Sequence, residues 1–213
     1  MAKERGQRKA KDKWKEKSWY TIVAPDYFSG KELTMGIGSS PESMIGRKVE
    51  IPVSDLTGNF KKSNARMIFQ ITSCQGNRCE TEFMGHTLSD DYIRRMVRRR
   101  KERLDIVKSF TTSTGEEVTV KLVIVTDGKL TGSKTVEIRN EVERFLSGKI
   151  SGMSYGDFSK YVINEEIYGD IVNAAKDIYP IRKLEIRKSV KLSSTGGHQI
   201  VEPPAETEVG QAS

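Results

Sequence analysis

Residues 66–84 read RMIFQITSCQGNRCETEFM, and this stretch decides the fold. Two runs rich in β-branched and aromatic side chains, at positions 66–72 and 79–84, stand on either side of the polar segment 75–78, which contains a glycine. Runs of this kind separated by a glycine-containing turn predict a β-hairpin. The rest of the chain can then be placed on either side of its two strands.

The chain has two cysteines, Cys74 and Cys79, and the hairpin brings them near each other across its strands. A disulfide is geometrically possible there. A reducing compartment, which the absence of a secretory signal favours, predicts two free thiols instead. A zinc site would need four ligands, and only His86 and His198 could join the cysteines, so we expect no metal.

On the amino-terminal side of the hairpin the sequence predicts three further strands. Positions 18–23 are β-rich and are soon followed by a proline, and positions 32–38 form a second extended piece. Positions 47–53 alternate charged with apolar residues, as half-buried strands do. A turn is expected at positions 55–59.

On the carboxyl-terminal side the sequence changes from strands to helices. Ser89 followed by two acidic residues is a typical helix start, and the spacing of apolar residues extends this predicted helix to about Leu104. The remaining predicted elements are strands at 107–113 and 118–126, helices at 133–146, 155–162 and 165–178, and a returning strand at 183–192.

Strands come first, helices later, and one strand returns at the end, which is an α+β order rather than an alternating βαβ one. Six to seven strands joined by short turns predict a β-barrel or half-barrel core with flanking helices. We expect three parts: a basic N-terminal arm at residues 1–17, a single domain at 18–192, and a disordered C-terminal tail at 193–213 that is rich in Ser, Thr, Gly, Pro and Glu.

The arm is the most cationic part of the chain. Residues 1–17 contain eight Lys or Arg against three acidic residues, which supplies +5 of the formal net charge of +7. Because Trp14 is its only large apolar side chain, the arm cannot offset the entropy of folding alone, and we expect it to order on a polyanion such as nucleic acid. The candidate RNA-binding residues in the arm are Lys3, Arg5, Arg8, Lys9, Lys11, Lys13, Trp14, Lys15 and Lys17.

A second cationic stretch lies in the predicted helix after Ser89. On a helical projection Ile93, Val97 and Leu104 fall on one line, and most of the cations spread over the opposite face. Close guanidinium groups repel one another unless a counter-charge arrives, so a polyanion contact is favoured over an ordinary solvated face. The candidate RNA-binding residues here are Arg94, Arg95, Arg98, Arg99, Lys101 and Arg103.

Three aromatic residues in or beside the arm are candidates for stacking on unpaired bases. Trp19 and Tyr20 lie in the first predicted strand, so we expect one of the two to belong to the core. Trp14, which has lysines on both sides, is the better candidate for stacking or for a wedge between bases.

The sequence argues against several other functions. No run approaches the roughly 18 apolar residues of a membrane span, and the start lacks the apolar segment of a secretory signal, so we expect a cytosolic or nuclear protein. No phosphate-binding loop or nucleophile elbow is present, and a lone His86 near a helix start is usually structural. We therefore expect no catalytic residues, no cofactor, no membrane and no small-molecule substrate.

Motifs spread over residues 12–192 resemble one ribosomal family. They are, in order, Asp12-Lys13-Trp14-Lys15, Trp19-Tyr20, Ala24-Pro25, Gly46-Arg47, Asp55-Leu56-Thr57-Gly58, Gly85-His86, Ile178-Tyr179-Pro180 and Arg187-Lys188. In this order and at these spacings they are similar to the S3Ae family of archaeal and eukaryotic small-subunit ribosomal proteins. The short acidic tail resembles the archaeal type more than the longer eukaryotic members.

The resemblance implies a β-barrel core seated on the platform of the small ribosomal subunit. It implies contacts with ribosomal RNA near its 3′ end, by the messenger exit, and with neighbouring ribosomal proteins, and it leaves a direct contact with messenger RNA open. The arm and the Arg-rich stretch are the positions that it assigns to RNA. A free-standing regulatory nucleic-acid-binding protein is the alternative, and an enzyme acting on RNA is a third, less favoured hypothesis.

Overall fold

A computed structural model of the chain describes residues 14–176 and 178–192. The expectations for residues 1–13 and for the tail at 193–213 lie outside these described residues. The strands are β1 (Ser18–Val23), β2 (Glu32–Gly38), β3 (Lys48–Pro52), β4 (Ala65–Gln75), β5 (Arg78–Leu88), β6 (Arg103–Thr111), β7 (Glu117–Thr126) and β8 (Ile181–Leu192). The α-helices are α1 (Val53–Thr57), α2 (Asp90–Met96), α3 (Gly132–Ile150), α4 (Tyr155–Ile163) and α5 (Glu166–Ala175).

The eight strands form one mixed sheet that is built around β5. One edge of β5 pairs with β4 to make the predicted hairpin, which is confirmed and is longer than residues 66–84. The other edge is divided: its first part pairs in parallel with β1, and its later part pairs in antiparallel with β8. Beyond β1 lies β2, beyond β4 lies β3, and β7 and β6 continue the sheet from β8.

The predicted α+β class is confirmed, and of the two predicted cores, a barrel or a half-barrel, the closed barrel is wrong. Among the described residues β2, β3 and β6 each pair with one neighbour, so the sheet is open. A barrel requires the two end strands to pair, but here the divided edge of β5 makes the sheet branch. Each of the eight described strands overlaps a range that the sequence predicted as a strand, so the total of six to seven predicted for the core is too low.

Gly85 is the first residue of β5 that pairs with β8, and it lies next to an irregularity in the β4–β5 pairing. Ile68 faces Gly85 while Phe69 faces Phe83, so Met84 is an extra residue that forms a β-bulge. The φ angle of Gly85 is 144°, and a Cβ atom at this position would lie 2.0 Å from the carbonyl oxygen of Ser189 in β8. The lack of a side chain therefore allows β8 to approach β5.

The helices after β7 supply much of the core. Ile138, Val142, Leu146 and Ile150 recur every four residues along α3, and all four are fully buried. This spacing places them on one face of the helix, as the sequence predicted. The face packs against α5 and β6. The predicted helices at 133–146 and 155–162 correspond to α3 and α4, and the one at 165–178 ends earlier, at Ala175.

The predicted helix from Ser89 to Leu104 is wrong in its second half. α2 ends at Met96, and Leu104 lies in β6, which begins at Arg103 rather than at the predicted position 107. Leu104 and Ile106 are both buried and lie opposite Ile124 and Leu122 of β7. Alternating apolar residues that gain a strand partner override the helical spacing of a short segment.

Two smaller predictions also need correction. The segment expected to be a turn at 55–59 begins inside α1 and turns at Gly58, whose φ is 71°. Cys74 and Cys79 form a disulfide with an S–S distance of 2.05 Å, so the prediction of free thiols is wrong. The two residues are directly opposite in the β4–β5 register, and this proximity outweighs the compartment argument.

Within the described residues, no helix is both long enough and apolar enough to span a membrane.

Candidate nucleic-acid interface

Five exposed arginines lie close together on α2 and on the turn that follows it. We call Arg94, Arg95, Arg98, Arg99 and Arg100 the arginine cluster. α2 starts after Ser89 with Asp90 and Asp91 in its first turn, where the helix dipole favours negative charge. Ile93 is buried and packs with Leu88 and Val123, and this contact holds the short helix against the sheet.

The arginines on α2 are exposed and only weakly paired. Arg94 lies 3.8 Å from Asp91, and both side chains are about four-fifths exposed (79% and 82%). Arg95 donates a hydrogen bond from Nε to the carbonyl oxygen of Asp91 at 3.3 Å. Exposed pairs of this kind contribute roughly 0–1 kcal/mol, so both guanidinium groups can exchange their partners for a phosphate at little cost.

The next three arginines are displayed by a tight turn. The carbonyl of Arg98 accepts a hydrogen bond from the backbone N–H of Lys101 at 3.2 Å. Arg100 has a φ of 66°, a left-handed conformation that costs a non-glycine residue roughly 1–2 kcal/mol. Within the described residues, no carboxylate lies within 4.0 Å of the exposed guanidinium groups of Arg98 and Arg99. The turn therefore concentrates positive charge without neutralising it.

Two of the predicted RNA-binding residues have partners within the protein. Lys101 donates from Nζ to the carbonyl oxygen of Asp127 at 2.6 Å and to its carboxylate at 2.9 Å. The hydrogen bond from Lys101 to the carboxylate holds the pKa of Asp127 below its usual range. Arg103 forms a salt bridge with Asp105 at 2.8 Å. Lys101 thus ties the residues before β6 to the residue after β7, while Arg103 is paired within β6 itself.

Sequence reasoning missed the cations that β8 brings to the same region. Arg182 lies 3.7 Å from Asp127, and Lys183 lies 4.5 Å above the ring of Tyr92 in α2. Burial alone would lower the pKa of Lys183. The hydroxyl of Tyr92 and the carboxylate of Glu185 raise the pKa by more than burial lowers it, so the side chain stays charged. More than 80 residues separate these cations from α2, and only the pairing of β8 with β7 brings them together.

Only the end of the predicted arm lies within the described residues. Trp14 is 66% exposed, and the ammonium group of Lys17 lies 4.6 Å from the centre of its ring. Lys15 is also exposed. Of the two following aromatic residues, Tyr20 is 4% exposed and Trp19 is 61% exposed, so the prediction that one of them belongs to the core is confirmed. The remaining candidates in the arm, Lys3, Arg5, Arg8, Lys9, Lys11 and Lys13, lie outside the described residues.

The described end of the arm, residues 14–17, lies apart from the arginine cluster. β1 pairs with the first residues of β5, near Arg78, whereas α2 follows Leu88 at its other end. At about 3.4 Å per residue, the 11 residues of β5 extend up to roughly 35 Å. Residues 14–17 and the arginine cluster therefore lie toward opposite ends of the sheet and can contact different segments of a large polyanion.

His86 is buried between β5 and β8 and has a structural role there. Its Nε2 lies 3.1 Å from the carbonyl oxygen of Ile186, which can only accept, so Nε2 carries the proton. Its Nδ1 then accepts from the hydroxyl of Ser189 at 2.7 Å, and that hydroxyl also accepts from the backbone N–H of His86. Burial lowers the pKa of His86 to about 4, which keeps the ring neutral.

The remaining features give little support for chemistry on a small molecule. In the part of the chain that the structure describes, no three His, Cys, Asp or Glu residues form a group that could hold a metal ion. A cavity of about 50 Å³ next to His86 and Tyr168 has room for a few water molecules but not for a nucleotide.

Exposed arginines without carboxylate partners, at the end of a mixed sheet, are typical of proteins that bind nucleic acid through its phosphates. The chain belongs to the ribosomal S3Ae family, whose family model matches residues 5–195. The resemblance found in the sequence motifs is confirmed.

Similar proteins carry the name small ribosomal subunit protein eS1. The chain is 55% identical over 196 residues to the one from Thermoplasma acidophilum, which covers 92% of this chain and 91% of that protein. It is 50% identical over 200 residues to the one from Thermoplasma volcanium, covering 94% and 93%. With the one from Saccharolobus islandicus strain L.S.2.15 it shares 37% identity over 196 residues, covering 89% and 92%. These relatives are archaeal.

Proposed function

We propose that this protein is a structural constituent of the small ribosomal subunit, that it acts in the cytoplasm, and that it binds ribosomal RNA. The observation that carries the proposal is the family match over residues 5–195, together with relatives of nearly the same length that are named for the small subunit. The protein supports translation by its place in the particle and not by catalysis.

Contacts with phosphate dominate the proposed binding mode. The exposed cations outnumber the side chains that could identify a base, and the planar guanidinium group of arginine holds a phosphate through two parallel hydrogen bonds. The arginine cluster and the basic arm act as two separated anchors. Lys101 contributes by holding the residues before β6 beside Asp127, and Arg182 and Lys183 add positive charge beside the cluster.

The resemblance also supports a position on the platform of the subunit, near the 3′ end of the ribosomal RNA and the messenger exit. In that position neighbouring ribosomal proteins contact the sheet edges or helices that the anchors leave exposed, and messenger RNA passes close by. The arm at residues 1–17 orders only in the particle, and residues 18–192 form the body that it tethers.

Sucrose-gradient fractionation of cells that express the tagged protein tests the proposal. The protein should migrate with the small subunit and should stay there at high salt, because many phosphate and protein contacts act together. A protein found in the free fractions alone would instead be a free-standing nucleic-acid binder, and the proposal would fail.

A further inference from the structure

The outward face of the β1–β2 hairpin is apolar and exposed. Trp19 lies opposite Ile37 and Thr21 lies opposite Met35 in the β1–β2 register, so the four side chains share one face of the sheet. Trp19 is 61% exposed and Met35 is 63% exposed, while Thr21 and Ile37 are partly exposed. We call these four residues the hairpin face.

The opposite side of the same hairpin fixes the hairpin face in place. Tyr20 and Ile22 point inward and pack in a cluster with Met44 and Cys79. β1 is also attached to the tip of the β4–β5 hairpin, because the backbone N–H of Thr21 donates to the carbonyl oxygen of Asn77 at 2.7 Å. The indole of Trp19 is therefore displayed by a packed sheet and not by a loop, and a ligand need not order it.

Two exposed cations, Lys17 and Arg78, lie near Trp19 and Thr21 on the hairpin face. Lys17 is exposed and precedes Trp19 by two residues. Arg78 is exposed and lies beside Thr21 in the parallel β1–β5 register, so its side chain points to the same side of the sheet. Glu32 is opposite Val23, at the other end of the hairpin. The charge around Trp19 is thus suited to an anionic ligand that also has a flat apolar part.

We propose that the hairpin face is a stacking platform for unpaired RNA bases, with a base on the indole of Trp19 and the neighbouring phosphates on Lys17 and Arg78. The proposal rests on the proposed function and names the part of the RNA that this site takes. Stacking on an aromatic side chain does not require a particular base, because every base has a π-face. The basic arm leads directly into β1 and delivers the RNA strand to this face.

The structure favours Trp19 over Trp14, the residue that the sequence favoured. Lys17 already lies over the ring of Trp14 at 4.6 Å. Among the described residues, no aromatic ring or ammonium group lies over Trp19, and the sheet behind it sets the plane against which a base can pack. Trp14 packs with Lys17 in the arm, whereas Trp19 provides the stacking surface.

Single-tryptophan variants test the platform directly, because the chain has two tryptophans. Trp14→Phe leaves Trp19 as the sole reporter, and Trp19→Phe leaves Trp14. The probes are an oligouridine of about 12 nucleotides and an abasic ribose-phosphate oligomer of the same length, which has the charge without the bases. At equal bound fraction, measured by anisotropy of a labelled probe, oligouridine should quench Trp19 and the abasic oligomer should not.

Affinity measurements provide a second readout. Trp19→Ala should weaken oligouridine binding about tenfold or more, and Trp19→Phe should restore most of the affinity. The abasic oligomer should bind both variants as it binds the unaltered protein. Val136→Ala is the matched control, since Val136 is a 55% exposed apolar residue on α3, away from the platform.

Two outcomes overturn the platform without affecting the proposed function. One is an unquenched Trp19 in a protein that binds oligouridine and migrates with the small subunit. The other is a blue-shifted, unquenched Trp19 in the assembled subunit, which would place a neighbouring protein on the hairpin face. Failure of the proposed function is seen separately, as loss of migration with the subunit.

Discussion

At the scale of single residues, Gly85 has the most restrictive environment that we describe. A methyl group there would meet the backbone of β8, and the φ of 144° is one that side chains rarely adopt. We expect Gly85→Ala to lower the free energy of unfolding by about 2–4 kcal/mol, because strain and a backbone clash act together. Urea denaturation measures the loss.

Gly148→Ala is the matched control for this substitution. Gly148 lies inside α3, and a Cβ atom there would meet nothing within 4 Å. The same change should raise the free energy of unfolding by about 0.5–1 kcal/mol, because alanine favours a helix over glycine. Equal effects at the two positions would contradict the role assigned to Gly85.

His86 makes the stability of the protein depend on pH. Burial lowers its pKa from 6.5 to about 4 in the folded state, whereas the unfolded chain keeps the ordinary value. Below about pH 6.5 the unfolded state binds a proton that the folded state does not bind until about pH 4. The free energy of unfolding should therefore fall by about 2 kcal/mol between about pH 7 and pH 5.

Nuclear magnetic resonance can follow this titration directly. The chain has two histidines, so His198→Gln leaves His86 as the only imidazole to observe. His86 should stay neutral down to about pH 5, and unfolding experiments on His86→Gln should show a smaller loss of stability over the same range. A midpoint near 6.5 in the folded protein would show that burial does not act as described.

At the scale of elements, the arginine cluster should matter for binding and little for folding. Arg98→Ala and Arg99→Ala remove charges that have no described carboxylate partner, so the free energy of unfolding should stay equal or rise slightly. RNA affinity should fall, and the slope of log affinity against log salt should decrease by about 0.7–0.9 for each lost phosphate contact. Salt titrations of RNA binding give this slope.

Lys101→Ala provides the contrast within the same segment. It removes one of the two cationic partners of Asp127, the other being Arg182, and should lower the free energy of unfolding only slightly, while the salt slope changes little. If Lys101→Ala reduced the salt slope as much as Arg98→Ala does, Lys101 would bind RNA as the arginine cluster does, and its contact with Asp127 would not set it apart.

The disulfide should stabilise the tip of the β4–β5 hairpin. Cys74 and Cys79 are five positions apart, and closing so short a loop in the unfolded chain accounts for about 2 kcal/mol. We expect Cys74→Ser to lower the free energy of unfolding by about this amount. A reducing agent should have the same effect on the unaltered protein and none on the variant. A stability unchanged by reduction would exclude this contribution.

The elements that the sequence predicted well are those whose pattern is local. Cys74 and Cys79 flank a glycine-containing turn, so their hairpin is clear from composition alone. α3 shows its buried face by residues spaced four apart. The segment from Arg94 to Leu104 failed because its helical spacing is short, and because the pairing of Leu104 with β7 cannot be read from neighbouring residues. Arg182 and Lys183 were missed for the same reason, because only the pairing of β8 with β7 brings them close to α2.

At the scale of the whole molecule, the arm is expected to act independently of the body. Deleting residues 1–17 should leave the unfolding midpoint unchanged, because the core residues begin at Tyr20. RNA binding should weaken, with a loss of about 0.7 in the salt slope for each contact made to single-stranded RNA. Salt-dependent binding assays on the full chain and the deletion variant measure both effects.

An unchanged salt slope would remove the arm from the binding surface. A lowered unfolding midpoint would instead mean that the arm packs on the body. The sequence could predict the arm from charge alone, whereas the separation of residues 14–17 from the arginine cluster depends on which end of β5 each one joins.

The divided edge of β5 has a consequence for biosynthesis. β8 inserts between β5 and β7, and the contact of Ser189 with His86 spans 103 residues. A nascent chain cannot complete the sheet until β8 has left the exit tunnel, so folding of the middle of the sheet must wait for translation of β8. A truncated product without β8 would expose unpaired edges of both β5 and β7, which makes it prone to aggregation or degradation. Completion of the sheet is therefore a late event in the synthesis of this protein.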